Sequence, residues 1–282
     1  MRNTPFRETD PEAPSRRSAA ELRREISSRN LLLAETVPHE STFGEVASVL
    51  YQEADGRHGN FLPASYRRIC ACPDWRRRLG KVYTASARVP RSRDRVRREL
   101  DCANSSDALL MNIFCYPGVT RRSALCSLLG FEAGARPQFG LRPRTPLVSG
   151  LLDRTEIDMR LGDLFVEAKL TEANFQWASA KLVHRYTQLE EVFDVDLLPK
   201  KRDEYQSYQL IRGIMAAEYC RKSFAVMVDG RRSDLIEDWF HVVRAVRNSD
   251  LRTRLAVRTW QEVAACLPRT MQTFMAQKFG IC

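Results

Sequence analysis

Glu156, Asp158, Glu167 and Lys169 are the residues of this chain whose types and spacing could do chemistry together. They lie in two segments of alternating apolar and polar residues, Arg154 to Leu161 and Leu164 to Leu170, which meet at Gly162-Asp163, a pair that turns a chain readily. The pattern predicts a β-hairpin. Strand side chains alternate faces, so Glu156 and Asp158 share one side while Ile157 and Met159 take the other. In the second strand Glu167 and Lys169 share a side, with Val166, Ala168 and Leu170 opposite. If the polar faces coincide, two or three carboxylates and an ammonium converge on one spot. Like charges that close repel, and a divalent cation relieves the repulsion. Clustered hard oxygen ligands suit magnesium or manganese rather than zinc. The ammonium then stands where an attacking water or a developing phosphate charge would be.

At these residues the chain resembles the restriction-endonuclease-like nucleases, the PD-(D/E)xK superfamily. The motif of that group, an acid on one strand and (D/E)-x-K on the next, reads here as Asp158 and Glu167-Ala168-Lys169. The resemblance implies that Asp158 and Glu167 bind the metal, that the Ala168 carbonyl completes its shell, and that Lys169 orients or activates the hydrolytic water. Glu156 takes a secondary catalytic place, either at a second metal or water or paired with Arg154 or Arg160. The implied reaction is hydrolysis of phosphodiester bonds, with DNA as the first substrate. One departure is plain, since Ile157 and not proline precedes Asp158. A lone E-x-K arises about once by chance in a chain this charged, so the weight rests on the upstream Asp158, the turn and the apolar opposite faces. The competing reading is a solvated hairpin face whose charges merely pair.

These residues need a scaffold, and the 282-residue length with 44% hydrophobic residues is enough for a sizeable core. The expected class is α/β (α+β): a restriction-endonuclease-like mixed sheet flanked by helices, in the order αβββαβ, with a mainly helical N-terminal extension. The expected organisation is a disordered tail over 1–18, a basic helical region over 19–104 and the nuclease-like domain over 105–282. A net charge of +10 points to a polyanionic partner, nucleic acid first. No apolar run approaches the roughly 20 residues that span a bilayer, and no apolar leader opens the chain. Eight scattered cysteines and four scattered histidines show no zinc spacing. Most of the cysteines sit among apolar neighbours and read as reduced core residues, which predicts a cytoplasmic protein.

Within the N-terminal region a helix is expected from Ala19, with Leu22, Ile26 and Asn30 on one face, and another from Thr42 through Val46, Val49 and Leu50 until Asp55-Gly56. From Arg57 to Arg98 thirteen basic residues face two acidic ones, enough to account for the whole excess of charge. Arg76, Arg77 and Arg78 are the expected phosphate contacts there. Tyr66, Trp75 and Tyr83 read either as base-stacking aromatics or as buried stripes of short helices.

Ser105 or Ser106 caps a helix through Phe114, and a second runs from Arg121 to Leu129. The resemblance offers Asp107 in the first of them as a match to the acid that some members of the superfamily carry on the helix before the first strand. An acid in a first turn ordinarily serves as a dipole and capping residue, so Asp107 stays outside the predicted site. One short strand is expected between Pro137 and Gly150. Thr171 reads as the cap of a helix through Phe175, Ala178, Leu182, Tyr186 and Leu189. Tyr205 to Cys220 reads as another helix, with Gln209, Tyr205 and Arg212 as candidate substrate contacts. Ser223 to Val228 has the continuous apolar character of a central strand. A helix capped by Ser233, a last strand over Leu255 to Val257 and two terminal helices complete the chain.

Two further classes stay open beside the nuclease: a nucleic-acid-binding protein that keeps the fold without cleavage, and a helical protein-interaction adaptor. Cutting both strands of a duplex would call for a homodimer.

Overall fold

The computed structural model describes residues 17–42, 48–82 and 97–282. Residues 1–16 of the expected tail, Glu45 and Val46, Tyr83 and the arginines from 88 to 95 lie outside the described residues; Ser18, placed at the end of that tail, is the cap of the first helix.

A five-stranded mixed sheet carries the fold. Its strands are β1 (Pro137–Leu141), β2 (Ile157–Leu161), β3 (Leu164–Ala168), β4 (Ser223–Val228) and β5 (Leu255–Thr259), in the spatial order β5-β4-β3-β2-β1. The first three pair antiparallel as a meander, whereas β3, β4 and β5 run parallel. The β2–β3 hairpin turns at Gly162-Asp163 as the sequence implied, and Gly162 takes φ +60°, which a residue without a Cβ adopts at no steric cost. Parallel neighbours need crossovers, and these sheathe both faces of β4, which is why Phe-Ala-Val-Met-Val is apolar without alternation.

The longer helices are α1 (Ala19–Ala34), α2 (Pro63–Ala71), α3 (Pro73–Arg78), α4 (Ser106–Phe114), α5 (Ser123–Leu129), α6 (Tyr208–Cys220), α7 (Ser233–Val243), α8 (Trp260–Ala265) and α9 (Arg269–Phe279). One face of the sheet packs Phe165, Phe224 and Val226 against α6 and α7, through Ile214 and Trp239. The other packs Val166, Ala225 and Met227 against α4, α8 and α9, through Leu109, Trp260 and Met271. Ile157 joins the first of these clusters and Met159 the second, so the two do not share a face as alternation implied. Among the described residues no helix is long and apolar enough to cross a membrane.

Ser18 and Glu21 close a capping box at the start of α1. Leu22 and Ile26 join the α4–α9 side of the core, and buried Asn30 donates to the Lys278 carbonyl at 3.0 Å. Beyond α1 the N-terminal region differs from expectation. Val49–Tyr51 is a strand paired with His39–Ser41, not the end of a helix from Thr42, whose hydroxyl accepts from the Ser48 amide at 2.7 Å. A β-branched and an aromatic residue, all buried, suit that pairing. Asp55-Gly56, both at positive φ, turns a second small hairpin, Glu53–Ala54 with Arg57–His58.

The segment after β3 also departs from expectation: no helix starts at Thr171. Fully buried Arg232 donates to the carbonyls of Glu172 (2.8 Å) and Ala173 (3.1 Å), while the amides of Tyr208 and Gln209 take those of Gln176 and Phe175. These four carbonyls are committed to tertiary donors and unavailable to a helical ladder. Tyr205 sits in a short strand, Glu204–Tyr205, and α6 begins only at Tyr208 after Ser207 turns into left-handed backbone at φ 56°. Ser233 is the first residue of α7, not its cap.

Candidate active site

The β2–β3 register pairs Met159 with Val166. That is the last pair of the ladder, and Asp158 and Glu167 are the next residues on the two strands, acids close enough to repel. Asp158 Oδ2 accepts from the Ala168 amide at 2.8 Å, so the acid is aimed by the backbone of the facing strand. Glu167 is buried, with Oε1 at 2.7 Å from Lys169 Nζ and Oε2 at 3.7 Å from the Arg212 guanidinium. Lys169 is anchored at both backbone groups, its amide on the Met227 carbonyl and its own carbonyl accepting from Trp260 Nε1. Asp158, Glu167, Ala168, Lys169, Asn104 and Gln209 line one cleft of about 390 Å³.

A second charged group lies beside the first. Asp107, buried in α4, accepts from Arg78 Nη2 at 2.8 Å and from Lys81 Nζ at 2.7 Å. Arg78 also donates to Glu156, and Lys81 reaches Glu99 at 3.0 Å. Gly140 makes room for this. A Cβ there would stand 2.4 Å from the Arg78 guanidinium, and its φ of +69° also disfavours a side chain.

The two groups differ in charge balance. Burial, Glu167 and then Asp107 push the Asp158 carboxyl well above its usual range, against Lys169 and the Ala168 amide. Burial would raise Asp107 too, but Arg78 and Lys81 hold it below. Burial alone would lower Lys169; Glu167, Glu172 and Asp158 hold its ammonium above the ordinary lysine range. Glu99 is raised, by burial first and by Asp107 second.

The structure therefore brings together Asp158, Glu167, Ala168 and Lys169, with Arg212 and Gln209 at the rim. Glu156 is half-buried and held by Arg78, rather than by Arg154 or Arg160. Tyr205 is not on the cleft helix; its hydroxyl bonds His184 Nε2 at 2.9 Å. Arg76 and Arg77 are exposed on α3, Arg77 paired with Asp74, whereas Arg78 turns inward. Tyr66 and Trp75 are 3% and 6% exposed, which excludes them as stacking platforms and makes them core residues.

Asp107 and Lys81 enter the site although sequence reasoning left them out. A signal for Asp107 existed: it is the one charge in the mostly apolar stretch Ser106–Phe114, and a charge that such a helix buries demands a partner. For Arg78 the signal was its place three residues after Trp75, on the same helical face as a buried ring.

The donors in the cleft are hard oxygens, two carboxylates and the Ala168 carbonyl. Among the described residues no three histidines, cysteines and acids converge as a complete metal shell. Two carboxylates and a carbonyl suit magnesium, which keeps several waters, and the crowding that raises Asp158 is of the kind a divalent cation relieves.

In comparison with known proteins, the family model described as Restriction Endonuclease associating with ARP matches residues 34–280. No curated protein and no solved structure matches the chain.

Proposed function

Because the chain belongs to the family of restriction endonucleases associating with ARP, we propose that it is a magnesium- or manganese-dependent nuclease that hydrolyses phosphodiester bonds in DNA. The observation that carries this reading is the cross-strand placement of Asp158 and Glu167 in one cleft with Lys169 on Glu167. On this reading α4, the β1–β3 meander, α6 and β4 form the αβββαβ core of the PD-(D/E)xK nucleases. A partner ARP, a homodimer and a cytoplasmic setting belong to the same proposal.

Asp158, Glu167 and the Ala168 carbonyl would hold the metal. When bound, it would neutralise the scissile phosphate and acidify water. Asp107 and Glu156 already have Arg78 and Lys81 as counter-charges, so they serve as supports for the ligands and are not first choices as ligands themselves. Lys169 keeps its proton, because three carboxylates stabilise the ammonium. It therefore donates a hydrogen bond, orienting the attacking water or meeting the negative charge that grows on phosphate oxygens, and does not act as the base. Water oxygen bonds to phosphorus as the P–O bond to the ester oxygen breaks, and the proton the water gives up passes through solvent to the leaving oxygen. Arg212 and Gln209 would hold the phosphate that reacts.

The test is incubation of wild type, Asp158→Asn and Lys169→Ala with supercoiled, linear and single-stranded DNA, with and without magnesium or manganese. Cleavage by wild type alone, and only with metal, is the expected outcome. Retained binding with no cleavage under any condition would replace this reading by a nucleic-acid-binding protein that keeps the fold.

A further inference from the structure

The outer edge of the sheet carries charge that the cleft does not use. β1 is an edge strand; a groove of about 770 Å³ runs along it from Pro137 to Leu141, and a second of about 410 Å³ adjoins its Pro137 end, with Trp75, Arg136 and Pro137 common to both walls. Arg68 and Arg121 line the first groove with Arg136, and no acid lines it. Arg142 lines the second, whose acids are already taken: Asp74 pairs with Arg77 and Glu156 with Arg78. Arg68, Arg121, Arg136 and Arg142 are all exposed, and among the described residues none of the four forms an ion pair with a carboxylate.

Two of these guanidiniums are held in place. Trp75 is pinned by its Nε1–H on the Pro137 carbonyl at 2.9 Å, and Arg68 and Arg136 lie 5.6 and 5.8 Å from its ring centroid. Arg136 also donates to Cys72 Sγ, a weak acceptor that leaves its charge uncompensated. Arg136 and Arg142 flank the two ends of β1 and so stand roughly 20 Å apart at strand rise. That distance covers about six base-pair steps of a duplex at 3.4 Å each. At its other end the second groove reaches Lys81 and Arg78, which hold Asp107 beside the catalytic cleft.

We propose that this groove is the track of the nucleic-acid backbone: Arg68, Arg121, Arg136 and Arg142 take successive phosphates of a duplex on the β1 edge and lead it to the cleft. The inference rests on the nuclease reading for what happens at the end of the track, and not for the track itself. A small anion needs one or two cations, whereas four unpaired guanidiniums strung along an edge match a polymer of regularly spaced charge. The exposed arginines of α3 are therefore not the principal contacts.

Binding of a fluorescent duplex is measured by anisotropy without divalent metal over a range of sodium chloride. The variants are Arg68→Ala/Arg121→Ala/Arg136→Ala, the corresponding triple lysine variant, and Lys200→Ala/Lys201→Ala/Arg202→Ala, which removes equal charge from a hairpin outside both grooves. Loss of three phosphate contacts lowers the slope of log K against log salt by about 0.9 for each contact, or two to three in all. The triple alanine variant is expected to show that fall with at least tenfold weaker binding near physiological salt, while the lysine and hairpin variants stay close to wild type. An unchanged slope in the groove variant, or an equal fall in the hairpin variant, overturns the track. Should the triple alanine variant fail to fold, Arg121→Glu alone, at an exposed site, must weaken binding in the same direction. Cleavage is followed in parallel with magnesium at saturating protein. A wild type that binds through the groove and never cuts overturns the nuclease reading alone, and a wild type that cuts while the groove variant binds normally overturns the track alone.

Discussion

Two charged groups lie side by side at one end of the sheet and are balanced in opposite senses. Around Asp107, two cations face one deeply buried acid, with Glu99 and Glu156 at the margin, and the carboxylate is held ionised. Around Asp158, two acids lie on neighbouring strands, the cations Lys169 and Arg212 sit on Glu167, and the Asp158 carboxyl is driven toward its neutral form. Residue type does not separate the two groups; the position of the cations does, since Arg78 and Lys81 bond Asp107 directly whereas Lys169 and Arg212 sit on Glu167 and Asp158 accepts from a backbone amide. A satisfied carboxylate is a structural element, while an unsatisfied one is where an added cation gains most.

The largest test of this contrast removes Arg78. Arg78→Met leaves Asp107 with Lys81 alone in a buried position, and a loss of about 3–5 kcal/mol is expected in urea unfolding, the range for breaking a buried pair from one side. Adding Asp107→Asn should recover most of it; a double variant as unstable as the single would show that Arg78 acts through packing. In the other group, Lys169→Ala also breaks a buried pair from one side and leaves Glu167 with Arg212 alone, so a loss of about 3–5 kcal/mol is expected. Metal-dependent cleavage, measured below the variant's melting temperature, should fall by about 10²–10³-fold, as removal of one charge-stabilising donor does elsewhere.

Titration gives the two groups opposite signs. Asp107, lowered in the fold, contributes stability that is present above its unfolded pKa of about 3.9 and disappears as pH falls below it. The deficit of Asp107→Asn relative to wild type should therefore be constant from pH 5 upward and shrink in stronger acid. Asp158, raised in the fold, imposes a cost that sets in as pH climbs above about 3.9. In a chelator Asp158→Asn should be as stable as wild type at low pH and gain on it toward neutrality. Melting curves between pH 3 and 8 check both, and curves with the same sign would remove the distinction. The smallest effect is expected at Glu99→Gln, less than about 1 kcal/mol, because Lys81 keeps Asp107 and the lost pair is partly solvated.

What could be seen in the sequence was local. The hairpin, its turn, the cap of α4 and the apolar run of β4 depend on residues within a few positions of one another, and the Asp158, Glu167 and Lys169 constellation follows from that hairpin. Features set by distant partners were hidden. Arg78 meets Glu156 across 78 positions, and one arginine among three consecutive ones turns inward only because Trp75 already faces that way. The helix expected after Thr171 had suitable periodicity, yet Arg232, some 60 positions on, takes two of its carbonyls. Val49–Tyr51 became a strand because a partner lay upstream, and periodicity over so few residues does not separate the two states. Charge count pointed to the basic segment from Arg57 to Arg98, whereas two of the four unpaired groove arginines, Arg121 and Arg136, come from either side of α5, and Arg142 follows β1.

Arg232 carries one more implication. Its guanidinium is clamped between Asp234 and the two carbonyls at the rim of the cleft, so swinging that rim outward would leave buried Arg232 with Asp234 but without both carbonyl acceptors. The wall behaves as masonry and not as a door. Substrate must arrive from the open side and fit as it comes, and the speed of capture should follow diffusional encounter and ionic strength, with no slow rearrangement phase in stopped-flow mixing.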